Sequence, residues 1–476
     1  MNRSLAALAC ALLLAVFPTT GARPAHAAVA ALPSDRLHFG LANGPGDLGW
    51  MTSSSVPWRY RYQYLAGGVN TNAGWETWNT PSGQFAAWYM SNSTSGGASY
   101  TPVFTYYELL QSTPSAGSNE LDRDYSNLNN AATMASYYSN FVLLMTKANI
   151  YGKTVVVHVE PDFWGYMQQK AVANGWTLAA QVPASVASSG NSDLNGYGNN
   201  VQGFACALMH LRDTYDTNHN VQLAIHASMW SSGQDVASST DASLNPVTEA
   251  DLTSAFLGSA CLASNPYGGS TWDLVFNDID DHDAGWWESH GINQWFTHWW
   301  DPTNTTYPNF TRYLSWVSEL HARTGRPQVA WQVPVGNQYF LTMNNTCGHY
   351  QDNVAQYIVA HPGDFYSAGL IAVLFGAGNG CQTTYTDAVG GGGDGVTNNS
   401  GVPTTDVPGH CAACNTHVSV WPDDDGGFLR LFVGRYYGLR FPVSQGPAPS
   451  PPPRGGANQN PTPLPPPIRI GRLRPR

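Results

Sequence analysis

The stretch Thr154–Glu160 (TVVVHVE), stopped at Pro161, decides the fold. Its β-branched run is too short for a helix and nearly continuous in apolar character, as a strand covered on both faces must be. Ahead of it, residues 131–149 (AATMASYYSNFVLLMTKAN) read as a helix, and the same strand–helix unit recurs in both directions. Toward the N-terminus the strands are 37–42 (LHFGLA), 59–65 (RYRYQYL) and 102–107 (PVFTYY). Toward the C-terminus they are 221–228 (VQLAIHAS), 272–278 (WDLVFND), 328–333 (QVAWQV) and 370–375 (LIAVLF), with further helices at 201–215 and 309–323. Eight such strands predict parallel pairing through crossovers, closed into a single (β/α)8 TIM barrel with long loops on its C-terminal face. No glycine-rich dinucleotide fingerprint follows the first strand, which argues against an open doubly wound sheet.

Helix ends carry the expected signals: Asn309 precedes one periodic run, and Gly325 follows it just before Pro327. Long insertions rich in Gly, Ser, Asn, Thr and Trp occupy 66–101, 171–200, 279–308 and 376–420. The first, third and fourth follow strands directly, which places them at the end of the barrel where active sites are built. Residues 390–395 (GGGGDG) lack the Lys-Ser/Thr that a phosphate cradle needs.

The two ends of the chain differ from its middle. Arg3, the apolar run 5–17 (LAALACALLLAVF) and Ala25-His26-Ala27 form a secretory signal, taken as residues 1–28. A barrel domain over 29–443 follows, and the protein is expected to be secreted. Residues 444–476 are proline-rich, finish with Arg469, Arg472, Arg474 and Arg476, and cannot build a core; they read as an extended tail or linker, with cell-wall contact as one role.

Composition narrows the function. The net charge of −11 comes with only 11% charged residues and no basic stripe, so no nucleic-acid partner is expected. No segment after the signal is apolar enough to span a bilayer, so no membrane is expected. Seventeen tryptophans and 12% aromatics suit a polysaccharide or oligosaccharide partner, because aromatic faces stack on pyranose rings; ordinary core packing accounts for them equally well. Past Cys10 in the signal stand Cys206, Cys261, Cys347, Cys381, Cys411 and Cys414, an even set that predicts disulfides between nearest neighbours, 206–261, 347–381 and 411–414.

Alternate residues of a barrel strand face the interior. On the fourth strand Val155, Val157 and Val159 should meet the helices, leaving His158 and Glu160 inward. The same alternation sends His226 and Ser228 inward on the fifth strand, Asp278 and then Asp280 on the sixth, and Gln332 beside the inward line of the seventh. Arg61 and Gln63 on the second strand are candidates to join them. Polar side chains converging from several strands at one depth are poorly explained as packing and point to chemistry. Two carboxyls across an aromatic-lined cleft suit glycosidic cleavage, one protonating the leaving oxygen while the other attacks or activates water. Glu160 is the expected acid/base, with Asp278, Asp280 and Asp281 as candidates for its partner. His158, Asp162, His226, Gln332 and Arg61 are expected to bind substrate or orient carboxylates, and Trp164, Tyr166, Trp230, Trp286, Trp287 and Trp331 are the candidate stacking platforms.

Glu160-Pro161 at the end of VVVHVEPDFWGY resembles the clan of retaining (β/α)8 glycoside hydrolases whose acid/base glutamate, commonly in Asn-Glu-Pro, ends the fourth strand. The resemblance implies glycosidase chemistry for the barrel over about residues 37–440. It departs at Val159, where the clan has Asn, and at Gln332, where the clan has its nucleophilic glutamate. The second carboxylate must then come from another strand, the sixth being the obvious source.

No metal or other cofactor is expected: the run Asp278, Asp280, Asp281, His282, Asp283 matches no standard ligand loop. Asp423–Asp425 read instead as a cap for the helix that starts near Gly427. No Gly-x-Ser-x-Gly elbow supports an esterase triad. Three readings stay open: a secreted glycoside hydrolase, a non-catalytic carbohydrate-binding barrel, and a metal-dependent hydrolase of another bond.

Overall fold

The computed structural model describes residues 29, 31–45, 48–54, 56–280, 282–284, 287, 297–336, 352–376 and 428–439. Within them, β1 (His38–Ala42), β2 (Tyr60–Ala66), β3 (Thr101–Tyr107), β4 (Val155–Val159), β5 (Val221–His226), β6 (Leu274–Asp278), β7 (Gln328–Val333) and β8 (Leu370–Phe375) close into one barrel in chain order. Every neighbouring pair is parallel, including β8 against β1. This is the expected (β/α)8 barrel, with the strands where the sequence places them.

Around it lie α1 (Leu48–Ser53), α2 (Gln84–Ser93), α3 (Glu120–Leu128), α4 (Ala131–Tyr151), α5 (Phe163–Ala173), α6 (Val201–Tyr215), α7 (Pro246–Leu257), α8 (Phe310–Thr324), α9 (Val354–Ala360), α10 (Pro362–Ser367) and α11 (Phe428–Tyr436). Asparagine starts the long ones: the side chains of Asn130, Asn200 and Asn309 accept from the backbone N–H of Thr133, Gly203 and Arg312 at 3.0, 2.8 and 2.8 Å. Each bond satisfies a donor that a helix start leaves open. Gly325 ends α8 at φ 64°, a left-handed position that glycine takes without strain. Among the described residues, no helix is long and apolar enough to cross a membrane.

Alternation divides the strands between two cores. Phe104, Val155, Val157, Val159, Leu223, Ile225, Val275 and Val373 pack outward on the helices. Tyr60, Tyr62, Val103, Val156, Ala224, Leu274, Phe276, Val329, Trp331 and Leu374 fill the barrel. A disulfide joins Cys206 on α6 to Cys261 just beyond α7, as nearest-neighbour pairing predicts. Cys347, Cys381, Cys411, Cys414, the signal, the acidic run Asp423–Asp425 and the proline-rich tail lie outside the described residues.

Two residues at strand ends break the alternation. Glu160 has φ 45° and Gln332 φ 56°, left-handed values that are uncommon for residues other than glycine. At Gln332 the β7–β8 register shifts between Ala330 and Val333, so β7 carries a bulge there. Such a residue re-aims its own side chain, and both were candidates for the site.

Candidate active site

The interior polar chain begins on β4. His158 Nε2 lies 3.0 Å from His226 Nδ1 on β5, and His226 Nε2 lies 3.2 Å from Asp278 Oδ1 on β6. Three adjacent strands thus bring their inward residues into one line at the C-terminal end, as alternation predicts for His158, His226 and Asp278. All three are buried. The His158 ring is 4.5 Å from Phe276 and 4.8 Å edge-on to Trp331, so it sits among aromatic faces. That burial, with His226 as a second cause, pushes the His158 pKa well below its usual value and keeps the ring neutral.

Aromatic side chains surround this line. Trp331 comes up from β7 and meets Tyr62 and Tyr64 of β2 at 6.3 and 5.8 Å. Half-buried Tyr64 stands 6.4 Å from Tyr107 of β3, and its hydroxyl donates to Gln332 Oε1 at 3.3 Å. The bulge at Gln332 therefore turns its amide over the mouth toward β2. Gly376, just past β8, leaves room for this wall: a Cβ there would stand 1.9 Å from the Tyr62 hydroxyl.

Beyond β6 the chain forms a second acidic group. Asp280 accepts from Trp287 Nε1 at 3.0 Å and makes a short contact through Oδ2 with His298 Nδ1. Trp287 stacks on His298 at 4.3 Å. Asp283 accepts from the Gly336 N–H at 2.8 Å, and Asp352 from the Ala284 N–H at 2.8 Å. Burial raises the Asp283 pKa to about 7 against those hydrogen bonds, and burial and the neighbouring Asp283 raise Asp352 well above the carboxylate range. Among the described residues, no three His, Cys, Asp or Glu side chains gather so as to hold a metal ion.

Glu160 does not share the mouth with Asp278, contrary to the alternation argument. Its positive φ swings the side chain off the inward line. The carboxylate accepts from the Glu108 and Leu109 N–H groups at 3.0 and 3.2 Å, and the Tyr137 phenol of α4 stands close by. Its charged neighbours are Glu108, Glu120 and Asp124, on the β3 end and α3. It thus ties the end of β4 to the loop after β3, on the helix side. Burial raises its pKa to about 8 despite the two N–H donors.

The remaining candidates separate in the same way. Arg61 is buried on the outer face of β2, where Nε donates to Asn43 Oδ1 at 2.6 Å, Nη1 to Ser93 Oγ at 3.2 Å and Nη2 to the Gly44 carbonyl at 2.9 Å, with the Tyr89 ring 4.0 Å away. It fastens a loop and a helix to the barrel and does not face the mouth. Trp164 is fully buried among Phe163, Phe204 and Trp272, with Nε1 donating to the Val159 carbonyl, so it is a core residue and offers no platform. Asp162 begins α5, buried close to Tyr107 and Asp124. Trp230, after β5, is part-exposed and pairs with Tyr166 of α5 at 4.7 Å. Asp281 and Trp286 lie outside the described residues.

No protein-family model and no curated protein matches the chain. Solved structures with a similar course include an endo-β-1,4-mannanase of glycoside hydrolase family 26 from Cellulomonas fimi, at 10% identity and TM-score 0.39, over 72% of this chain and 66% of that one. A mannanase from Bacillus subtilis follows at 11% identity and TM-score 0.38, over 72% and 81%. A family 18 chitinase from Pseudoalteromonas aurantia gives 10% identity and TM-score 0.34, over 71% and 93%. Likeness at that level says nothing of what this chain acts on, and the barrel stands on its own strand pairing.

Sequence reasoning passed over Tyr64, Tyr107, His298 and Asp352. The tyrosines had a signal. In RYRYQYL, Tyr60, Tyr62 and Tyr64 alternate with Arg61 and Gln63, and the aromatic set is the one that enters the barrel core. Taking the polar set as inward inverted the phase of β2. His298 and Asp352 reach the site from distant loops, and no local spacing announces them.

Proposed function

We propose that the chain is an exported glycoside hydrolase that cleaves a polysaccharide bound across the C-terminal mouth of its barrel. The observation that carries the reading is the Asp278–His226–His158 line set under Tyr64, Tyr107, Trp331 and Gln332. A phenol and an amide supply the directional hydrogen bonds that sugar hydroxyls need, and the aromatic rings supply apolar faces. Asp278 is the carboxyl assigned to the nucleophile or base, held in place by His226 Nε2 at 3.2 Å. Its partner comes from the same segment: Asp280, with His298 Nδ1 against its Oδ2, is the second carboxyl placed to serve the leaving oxygen. The Cys206–Cys261 bridge supports an oxidising compartment, in keeping with the signal read in residues 1–28.

A non-catalytic carbohydrate-binding barrel is favoured by one observation: Glu160 is turned to the helices, and β7 offers the amide of Gln332. A reducing-sugar assay over a panel of polysaccharides separates the two. New reducing ends that vanish in Asp278→Asn support the hydrolase; binding with no new ends on any polymer selects the binding barrel.

A further inference from the structure

We infer that His158, His226 and Asp278 form a proton relay, in which uptake of a proton at His158 Nδ1 and protonation of Asp278 are one event. The inference deepens the proposed function by stating how the mouth carboxyl exchanges its proton, and it rests on Asp278 being that carboxyl.

The geometry leaves few arrangements. With Asp278 ionised, its Oδ1 accepts from His226 Nε2–H, so a neutral His226 carries a bare Nδ1. That atom must accept from His158 Nε2–H, 3.0 Å away, which leaves His158 Nδ1 bare in turn. His158 Nδ1 is buried and has no hydrogen-bond partner among the described residues. Thr105 Oγ1, on the β3 residue in register with His158, is likewise buried without a partner. The line thus ends on an open acceptor.

One proton drawn from solvent water and delivered to His158 Nδ1 propagates along the line. The Nε2–H of His158 passes to His226 Nδ1, and the Nε2–H of His226 passes to Asp278 Oδ1. Both rings finish neutral in the opposite tautomer, and the net change is one proton on the carboxyl. An imidazolium on His158 would be a charge enclosed between Phe276 and Trp331, so the relay keeps that ring neutral at both of its ends. Among the described residues, the titratable groups recorded beside the line include the phenols of Tyr313 of α8, near Asp278, and of Tyr62 and Tyr64 of β2 behind Trp331 and Gln332. Burial pushes the pKa of Tyr313 and of Tyr62 upward, so neither brings a charge to the line near neutral pH.

The test is a pH titration of the full chain labelled with 15N-histidine, with resonances assigned from His158→Gln and His226→Gln. The relay predicts two neutral Nε2–H rings at high pH that switch together to Nδ1–H, at one shared midpoint, as the pH falls. The switch should be absent in Asp278→Asn, whose amide takes up no proton. Rings that become imidazolium at separate midpoints, or a switch that persists in Asp278→Asn, overturn the relay. Should Asp278→Asn fail to fold, the wild-type midpoints decide alone. No substrate enters the measurement, so a chain that cleaves nothing still reports on the relay, and an active chain can still refute it.

Discussion

Replacing Glu160 by Gln should make the protein's stability less sensitive to pH, and the size of the change follows from where the carboxyl sits. In the unfolded chain Glu160 titrates near 4.5; folded, it titrates at about 8 because it is buried. Below pH 4.5 both states hold the proton and nothing is lost. Between 4.5 and about 8 the unfolded chain has released a proton that the folded chain keeps, so stability falls as pH rises. Above about 8 both states are ionised and the loss is complete. At about 1.4 kcal/mol for each pH unit, the interval corresponds to as much as about 5 kcal/mol. Gln keeps the shape and an acceptor for the Glu108 and Leu109 N–H groups, yet it never ionises. Burial also raises Glu108, with the nearby Glu160 carboxylate contributing, so removing that charge eases its neighbour as well. Urea unfolding at pH 5 and pH 8 is the assay: wild type should lose far more of its resistance between the two than Glu160→Gln does. Parallel losses would refute the buried-acid argument. Because this carboxyl faces away from the mouth, turnover of Glu160→Gln on a substrate should stay within about tenfold of wild type, or about 1.4 kcal/mol.

Other consequences follow from single contacts. Arg61→Met should cost about 3–5 kcal/mol of stability, since it removes the buried guanidinium's hydrogen bonds to Asn43, Ser93 and the Gly44 carbonyl, while KM is unchanged; a raised KM with normal stability would return Arg61 to the substrate site. Replacing both Cys206 and Cys261 by Ser should remove about 4 kcal/mol, the loop-entropy value for a closure of 55 residues, measured by urea midpoint. Exhaustive chelation should leave activity unaltered, and its loss on chelation with recovery on adding a divalent ion would restore the metal-dependent reading.

The barrel was legible because its signal is repeated. Eight apolar runs spaced by helical stretches permit little besides a closed parallel sheet, and alternation within β4, β5 and β6 places His158, His226 and Asp278 correctly. What escaped lies where the period fails. Alternation presumes an extended backbone, and Glu160 and Gln332 both leave it at positive φ, set by tertiary contacts that no local pattern encodes. Trp164 shows a related limit: Pro161 marks the end of a strand, but nothing nearby tells which side of the following helix meets the core. On β2, treating polar residues as inward put Arg61 in the mouth, whereas the barrel interior takes the tyrosines and Arg61 finds its partners outside. Alternation therefore serves where the backbone stays extended and the apolar residues fix its phase, and it fails where φ turns positive, as at Glu160 and Gln332, or where aromatic residues rather than polar ones take the interior, as on β2.

The central claim is that the mouth carboxyl on β6 breaks glycosidic bonds. Reducing ends released from a polysaccharide panel by wild type and by folded Asp278→Asn test it most directly. Release by wild type that drops by a factor of about a thousand or more in the variant, a loss of about 4 kcal/mol in transition-state stabilisation, is the predicted result. Equal release by the two proteins, or none by wild type on a polymer it binds, would contradict it.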